Sequence, residues 1–443
     1  MNVNRRQFMK LGAATPLGLH TVMATPWLAG LFRNHLQAGG LDLTDRRMLV
    51  IFQRGGNDGI NTVIPRGDSD YNQTTRPTLF IPEASAIDLG NGFAQLHPGL
   101  SSIMEVYNEG DLAILHRVGY QGQSQSHFDS QQFWETGVPG DSTLEEGMIY
   151  RHIEQIRSPE DRFLAAAINT GQLVSLKGAN SHLAAGSLEG FRFSGSPLRI
   201  NKFLGQRPSV AGGIDGQGLL GIIDGPRDFT DKPYRNLVYG TTLSLTDSIT
   251  TVQEALAAGY TAENGAAYPR GKFGDKLSQA ALLFKNTPVR VVGVNIGGWD
   301  THTNQGSTDG AHYNLLREVG DGFAALRRDL LSIWDDLVVV TMTEFGRTSR
   351  ENGGFGTDHA YSTVMFVAGG AVNGGVYNCD TGTWANGDLF SVNNRYVARR
   401  TDYRGVFADI FSWMGNNQLD ATIPGYSSLS SQNDFQSLGF LPG

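Results

Sequence analysis

VRVVGVNIGGWDTH, residues 289–302, is the stretch from which the fold follows. Five of its first eight residues are valine or isoleucine, the enrichment of a strand covered on both faces. The run ends in Gly297-Gly298, where the backbone can turn sharply, and polar residues follow at once. The same construction recurs as RMLVIFQ (47–53) before RGGNDG, LAILHRV (112–118) before GYQGQSQSHFD, and LVVVTM (337–342) before TEFGR. A further strand is predicted over 163–168, and GTDHA (356–360) stands two residues before TVMFVA (363–368). Helical stretches alternate with these runs, at 99–108, 130–135, 145–156, 245–258, 272–285, 312–334 and 403–414. Short apolar strands alternating with amphipathic helices predict an α/β fold with a large, mostly parallel sheet flanked by helices. The segment at about 180–236 is rich in Gly, Pro, Ser and Arg without a long periodic pattern, and reads as a loop-rich insertion. No internal repeat or linker divides the rest, so 39–443 reads as a single domain.

The 443 residues are 40% hydrophobic and 18% charged, which permits a large core and excludes disordered, collagenous and coiled-coil classes. With 35 basic and 43 acidic residues the formal charge is −8, and no dense basic block follows the first residues; a nucleic-acid partner is not expected. The one cysteine, Cys379, excludes an intrachain disulfide and four-cysteine zinc sites. A metal would have to be held by His, Asp, Glu or hydroxyl groups.

Residues 1–38 read as a targeting region. Arg5-Arg6-Gln7-Phe8-Met9-Lys10 precedes a mildly apolar run, Leu11 to Phe32, without a formal charge, as in a twin-arginine export signal. Such signals carry cargo that is already folded, so a periplasmic or otherwise exported location and the twin-arginine export machinery as a partner are expected. Val22-Met23-Ala24 fits the small-residue cleavage rule, and the run would reach across a bilayer if left uncut.

Polar residues gather where open α/β sheets place their ligands, beyond the carboxyl ends of the strands. Asp58 follows the first strand in a turn that could equally be no more than a turn. Ser124 and Ser126 precede a predicted helix, whose positive amino-terminal field would favour an alkoxide; the same position suits a simple N-cap. Asp300 and His302, one residue apart on extended chain, point the same way and suit a divalent ion. Glu344 and His359 stand at the ends of neighbouring predicted strands. His97, His116, His152, His182 and His312 lack a clustered acid and read as core or surface histidines; Trp299 reads as a packing or a stacking aromatic.

The ordered set GGND, SHFD, GGWDTH, TEFGR and GTDHA, with LHPGL (96–100) and TDYR (401–404), resembles an exported bacterial family of unknown function in the alkaline phosphatase and sulfatase superfamily. The resemblance implies an alkaline-phosphatase-like three-layer fold, a nucleophile at a helix start, and metal ligands at strand ends. By position it implies Asp58 as an acidic metal ligand, Ser126 as nucleophile, Asp300, His302 and His359 on one ion, Glu344 on a second, and Arg347 on an ester oxygen. Two such ions, about 3.5–4 Å apart, would clamp the attacking and leaving oxygens. Zinc is the first expectation, with manganese, calcium or iron as alternatives. The superfamily's usual Asp-His is Glu344-Phe345 here, and counting back from Thr136-Gly137 lands on His127.

Two functions follow. One is an exported metal-dependent hydrolase of phosphate or sulfate esters, acting on a small-molecule or glycan ester. The other is a non-catalytic metal- or glycan-binding exported protein that keeps the fold. A metal-free serine esterase is the weakest reading, since no Gly-x-Ser-x-Gly surrounds Ser126.

Overall fold

A computed structural model describes residues 45–191, interrupted at 159–160, 162, 169–172, 179–182, 186 and 189, and residues 248–442. The predicted signal region, most of the predicted insertion and His182 lie outside the described residues. Arg46–Gly443 forms one compact unit. No helix among the described residues is long and apolar enough to cross a membrane.

The strands in chain order are β1 (Arg47–Arg54), β2 (Val63–Pro65), β3 (Ile87–Asp88), β4 (Ala94–Leu96), β5 (Leu112–Gly119), β6 (Ala165–Ile168), β7 (Leu183–Ala185), β8 (Val291–Gly297), β9 (Leu337–Met342), β10 (Thr363–Ala368), β11 (Gly375–Tyr377) and β12 (Thr401–Asp402). Nine form one sheet in the order β11-β5-β10-β9-β1-β8-β6-β7, with β12 beside β5; β2, β4 and β3 form a small antiparallel sheet. β1 pairs in parallel with β8 and β9, and only β10 runs against its neighbours β5 and β9. The expected α/β architecture with a large, mostly parallel sheet is what the chain adopts. Leu183–Ala185, inside the stretch read as loop, pairs with β6, a strand too short for its pattern to register in the sequence.

Side-chain alternation along β1 makes the layers. Leu49 and Ile51 pack with Val292, Val294 and Val339 against the helices Lys272–Asn286 and Gly310–Asp329. Met48, Val50 and Phe52 face the opposite layer with Val338 and Val340, under the helices Met148–Ile156 and Tyr403–Trp413. Each fully buried valine of β9 contributes about 1.5–3 kcal/mol of transfer free energy, which explains why the run is unbroken rather than alternating. His97, His116, His152 and His312 are buried, as their isolation in sequence predicts, and Trp299 is a buried packing aromatic edge-on to His312.

Candidate metal centre

The antiparallel run of β10 places the segment before it at the same sheet edge as the segments after β1, β5, β8 and β9. That edge is closed by short polar links. The Gly55 amide donates to Glu344 Oε1 at 2.8 Å, and the Asn57 amide to Thr343 Oγ1 at 3.2 Å. Gly55 has φ +125°, and a Cβ there would lie 2.4 Å from the Asp300 amide nitrogen. Glycine is therefore needed for the first turn to pass against the loop that carries Asp300.

Three imidazoles converge on the Asp300 carboxylate. His302 Nε2 lies 3.1 Å and His359 Nε2 3.2 Å from Oδ1, and His127 Nε2 lies 3.4 Å from Oδ2. Ligand atoms of His127, Asp300 and His359 all lie within 4.8 Å of one another. Each ring is oriented through its other nitrogen. His127 Nδ1 is 2.8 Å from Glu344 Oε1, His302 Nδ1 is 3.2 Å from Asp358 Oδ1, and His359 Nδ1 is 2.7 Å from the Gln125 carbonyl. A carboxylate or carbonyl partner of this kind fixes the tautomer and raises ligand basicity at histidine metal sites.

The donor set fits a cation. A carbonyl can only accept, so His359 carries its proton on Nδ1, and its neutral Nε2 is a lone pair. His302 and His127 likewise place a proton on Nδ1 opposite their carboxylates, and His302 Nε2 and His359 Nε2 stand 2.9 Å apart. Facing lone pairs at that distance repel unless a proton or a metal ion lies between them. His127 Nε2 is buried without a hydrogen-bond partner, pointing at the same place. Three imidazole nitrogens and one carboxylate are suitable ligation for zinc and similar divalent ions.

The charges are arranged accordingly. Burial would raise Asp300, but the hydrogen bond and the charge of Arg347 outweigh it and hold the carboxyl down at about 2. The Glu344 hydrogen bond raises the His127 imidazole, whereas burial lowers His359. Burial opposes ionisation of Glu344 too, but the bonds from His127, Gln131 and Gly55 keep it below its ordinary range. The Asp300 and His302 side chains are 46% and 40% exposed, so the centre opens to solvent on their side. On the other side Phe345 packs against His127 and His359, with ring centroids 4.8 and 4.3 Å away.

Of the residues singled out in the sequence, Asp300, His302 and His359 meet directly. Glu344 reaches the cluster through His127; its carboxylate is buried and also accepts from Gly55 and Gln131. Asp58 is turned away from these groups: it is buried, accepts Arg76 at 2.6 and 3.1 Å and Gln305 at 2.7 Å, and caps the short helix Gly59–Thr62. Arg347 is equally buried and donates to backbone carbonyls of Gly56 and Thr357 and to Asp300 at 2.6 Å, so its guanidinium faces the protein rather than an ester. Ser126 is exposed and is the N-cap of the helix His127–Thr136, accepting from the Asp129 amide at 3.4 Å. His127 as ligand and Asp358 as ring holder lie outside the set the sequence singles out, although counting back from Thr136-Gly137 lands on His127. No local pattern reveals Glu344 as its partner, 217 positions away.

Among curated proteins no sequence match is significant. In structure the chain is similar to a sulfatase from a Pseudoalteromonas species, at 10% identity and TM-score 0.36 over 87% of this chain and 70% of that one. It is similar to the alkaline phosphatase of the Antarctic bacterium TAB5, at 10% identity and TM-score 0.30 over 76% and 95%. A Pyrococcus horikoshii protein is similar at 13% identity and TM-score 0.33 over 85% and 99%. Residues 242–422, which carry Asp300, His302, Glu344 and His359, match the family described as "Protein of unknown function (DUF1501)".

Proposed function

We propose that this chain is an exported metal-dependent hydrolase of phosphate or sulfate esters, with one divalent ion, zinc first, held by His127, Asp300, His302 and His359. The observation that carries the reading is the convergence of three Nε2 atoms on one carboxylate while every Nδ1 is engaged elsewhere. When bound, a divalent ion supplies a Lewis acid for an ester oxygen. The chain's own residues do the rest. Glu344, Asp358 and the Gln125 carbonyl hold the rings, and Arg347 holds Asp300 in place. Ser126, exposed beside His127 at the start of its helix, is the candidate nucleophile. The Glu344 carboxylate is spent on Gly55, Gln131 and His127, which is why one ion is proposed rather than two.

The test is elemental analysis of protein purified without chelator, followed by hydrolysis of aryl phosphates and sulfates, with Asp300→Asn and Ser126→Ala alongside. One equivalent of metal that is lost in Asp300→Asn, together with turnover lost in both variants, is the expected result. No metal after reloading would overturn the centre; equal background rates in all three proteins would overturn the hydrolase. The second reading, a non-catalytic metal- or glycan-binding protein, is favoured by one observation: the Ser126 hydroxyl already caps its own helix.

A further inference from the structure

A cleft of about 350 Å³ lies between the turn at 348–352 and the turn closed by the Val392–Tyr396 bridge. Its volume falls within the range of small-molecule sites, about 300–1,000 Å³. One wall is shared with the metal centre. Asp358 lines the cleft, holding His302 through Oδ1 at 3.2 Å and Arg395 through Oδ2 at 3.1 Å.

The remaining lining divides into groups already paired and groups left open to solvent. Glu351 is committed to Thr78 and to the Leu79 amide, at 2.7–3.0 Å. Arg350 is exposed, lies 5.0 Å over the Phe390 ring and has no carboxylate partner among the described residues. Asn393 and Asn394 present side-chain amides without a partner among the described residues, on backbone at φ +53° and +51°. Amides both donate and accept, as hydroxyl recognition requires, whereas a guanidinium fork suits a sulfate, phosphate or carboxylate. Two free amides and one free guanidinium around a ring-sized cleft match a sugar that carries an acidic group.

We propose that this cleft binds an anionic saccharide, its hydroxyls on Asn393 and Asn394 and its acidic group on Arg350. The ester to be cleaved then lies at the neighbouring His127–Asp300–His302–His359 cluster. That last placement rests on the hydrolase reading; saccharide binding does not.

The experiment is calorimetric titration of the full protein with a monosulfated disaccharide, its phosphorylated counterpart and the neutral parent. Arg350→Gln should weaken the charged ligands about tenfold or more, the worth of a charge-assisted hydrogen bond, and spare the parent. Asn393→Gly with Asn394→Gly should weaken all three, since glycine keeps the left-handed turn and removes only the amides. Unchanged unfolding midpoints show that the variants fold. The ratio of sulfated to phosphorylated affinity identifies the acid. Charged ligands that bind no better than the parent, or variants that bind as wild type does, overturn the proposal. Asp300→Asn separates the two readings. Saccharide binding that survives in it, without ester turnover in any protein, keeps the cleft and sinks the hydrolase; aryl ester turnover without saccharide binding does the reverse.

Discussion

At His127 the ring is set from a distance: its Nδ1 proton goes to Glu344, a fully buried carboxylate, and its Nε2 is left for the centre. Glu344→Gln keeps an acceptor and removes the charge, so metal affinity, measured by competition with a chelator, should fall about 10–100-fold while the fold is retained. Asp58 behaves differently. Burial would raise its pKa, but Arg76 at 2.6 Å and the Gln305 amide outweigh burial and bring it down to about 2. A depressed carboxyl contributes stability that is complete above its unfolded value of 3.8 and is lost as pH falls through about 2. The difference is worth about 2 kcal/mol. Asp58→Asn should flatten that acid limb in urea titrations and cost about 3 kcal/mol at neutral pH, because Arg76 is left buried without its counter-charge. Its metal content should equal that of wild type; a loss of metal would make Asp58 a ligand after all.

At the scale of elements, the turn after β1 decides how closely the loops approach. Gly55→Ala would drive a methyl group against the Asp300 amide and the Trp299 backbone at a φ of +125°. The expected cost is about 3 kcal/mol or more, with metal lost alongside. Gly297→Ala, at the end of β8 with nothing within 4 Å of the new Cβ, is the control and should change neither. Comparable losses in both would mean that the close approach of Gly55 is not what matters. Strand runs and the polar turns after them were legible because burial on both faces demands continuous apolar residues and sharp turns demand glycine. The two-residue β3 and β12 and the three-residue β7 and β11 were not, because so short a segment has no period.

For the whole molecule, one reversed strand is decisive. Because β10 opposes β5 and β9, the turn before it rather than after it joins the site edge, and His359 reaches Asp300. The proposed centre is drawn from segments spread between residues 125 and 359, so metal bound there would be coupled to global unfolding. Zinc at 100 times its dissociation constant should stabilise the protein by about 2.7 kcal/mol. The check is the unfolding midpoint with and without zinc: it should rise in wild type and stay constant in Asp300→Asn. A rise of equal size in that variant would place the stabilising ion elsewhere.

The sequence by itself determined the α/β class, the six longer strands of the central sheet and the neighbourhood of Asp300, His302 and His359. These are local properties, written in runs of apolar residues and in the polar turns that end them. Only the tertiary structure decided which nitrogen of each histidine faces the cluster and which carboxylate serves as ring holder rather than ligand. It also decided that Asp58 and Arg347 turn inward to protein partners. Hydrogen-bond partners such as Glu344 and His127 are chosen by distance in space, and sheet order, not chain order, sets that distance.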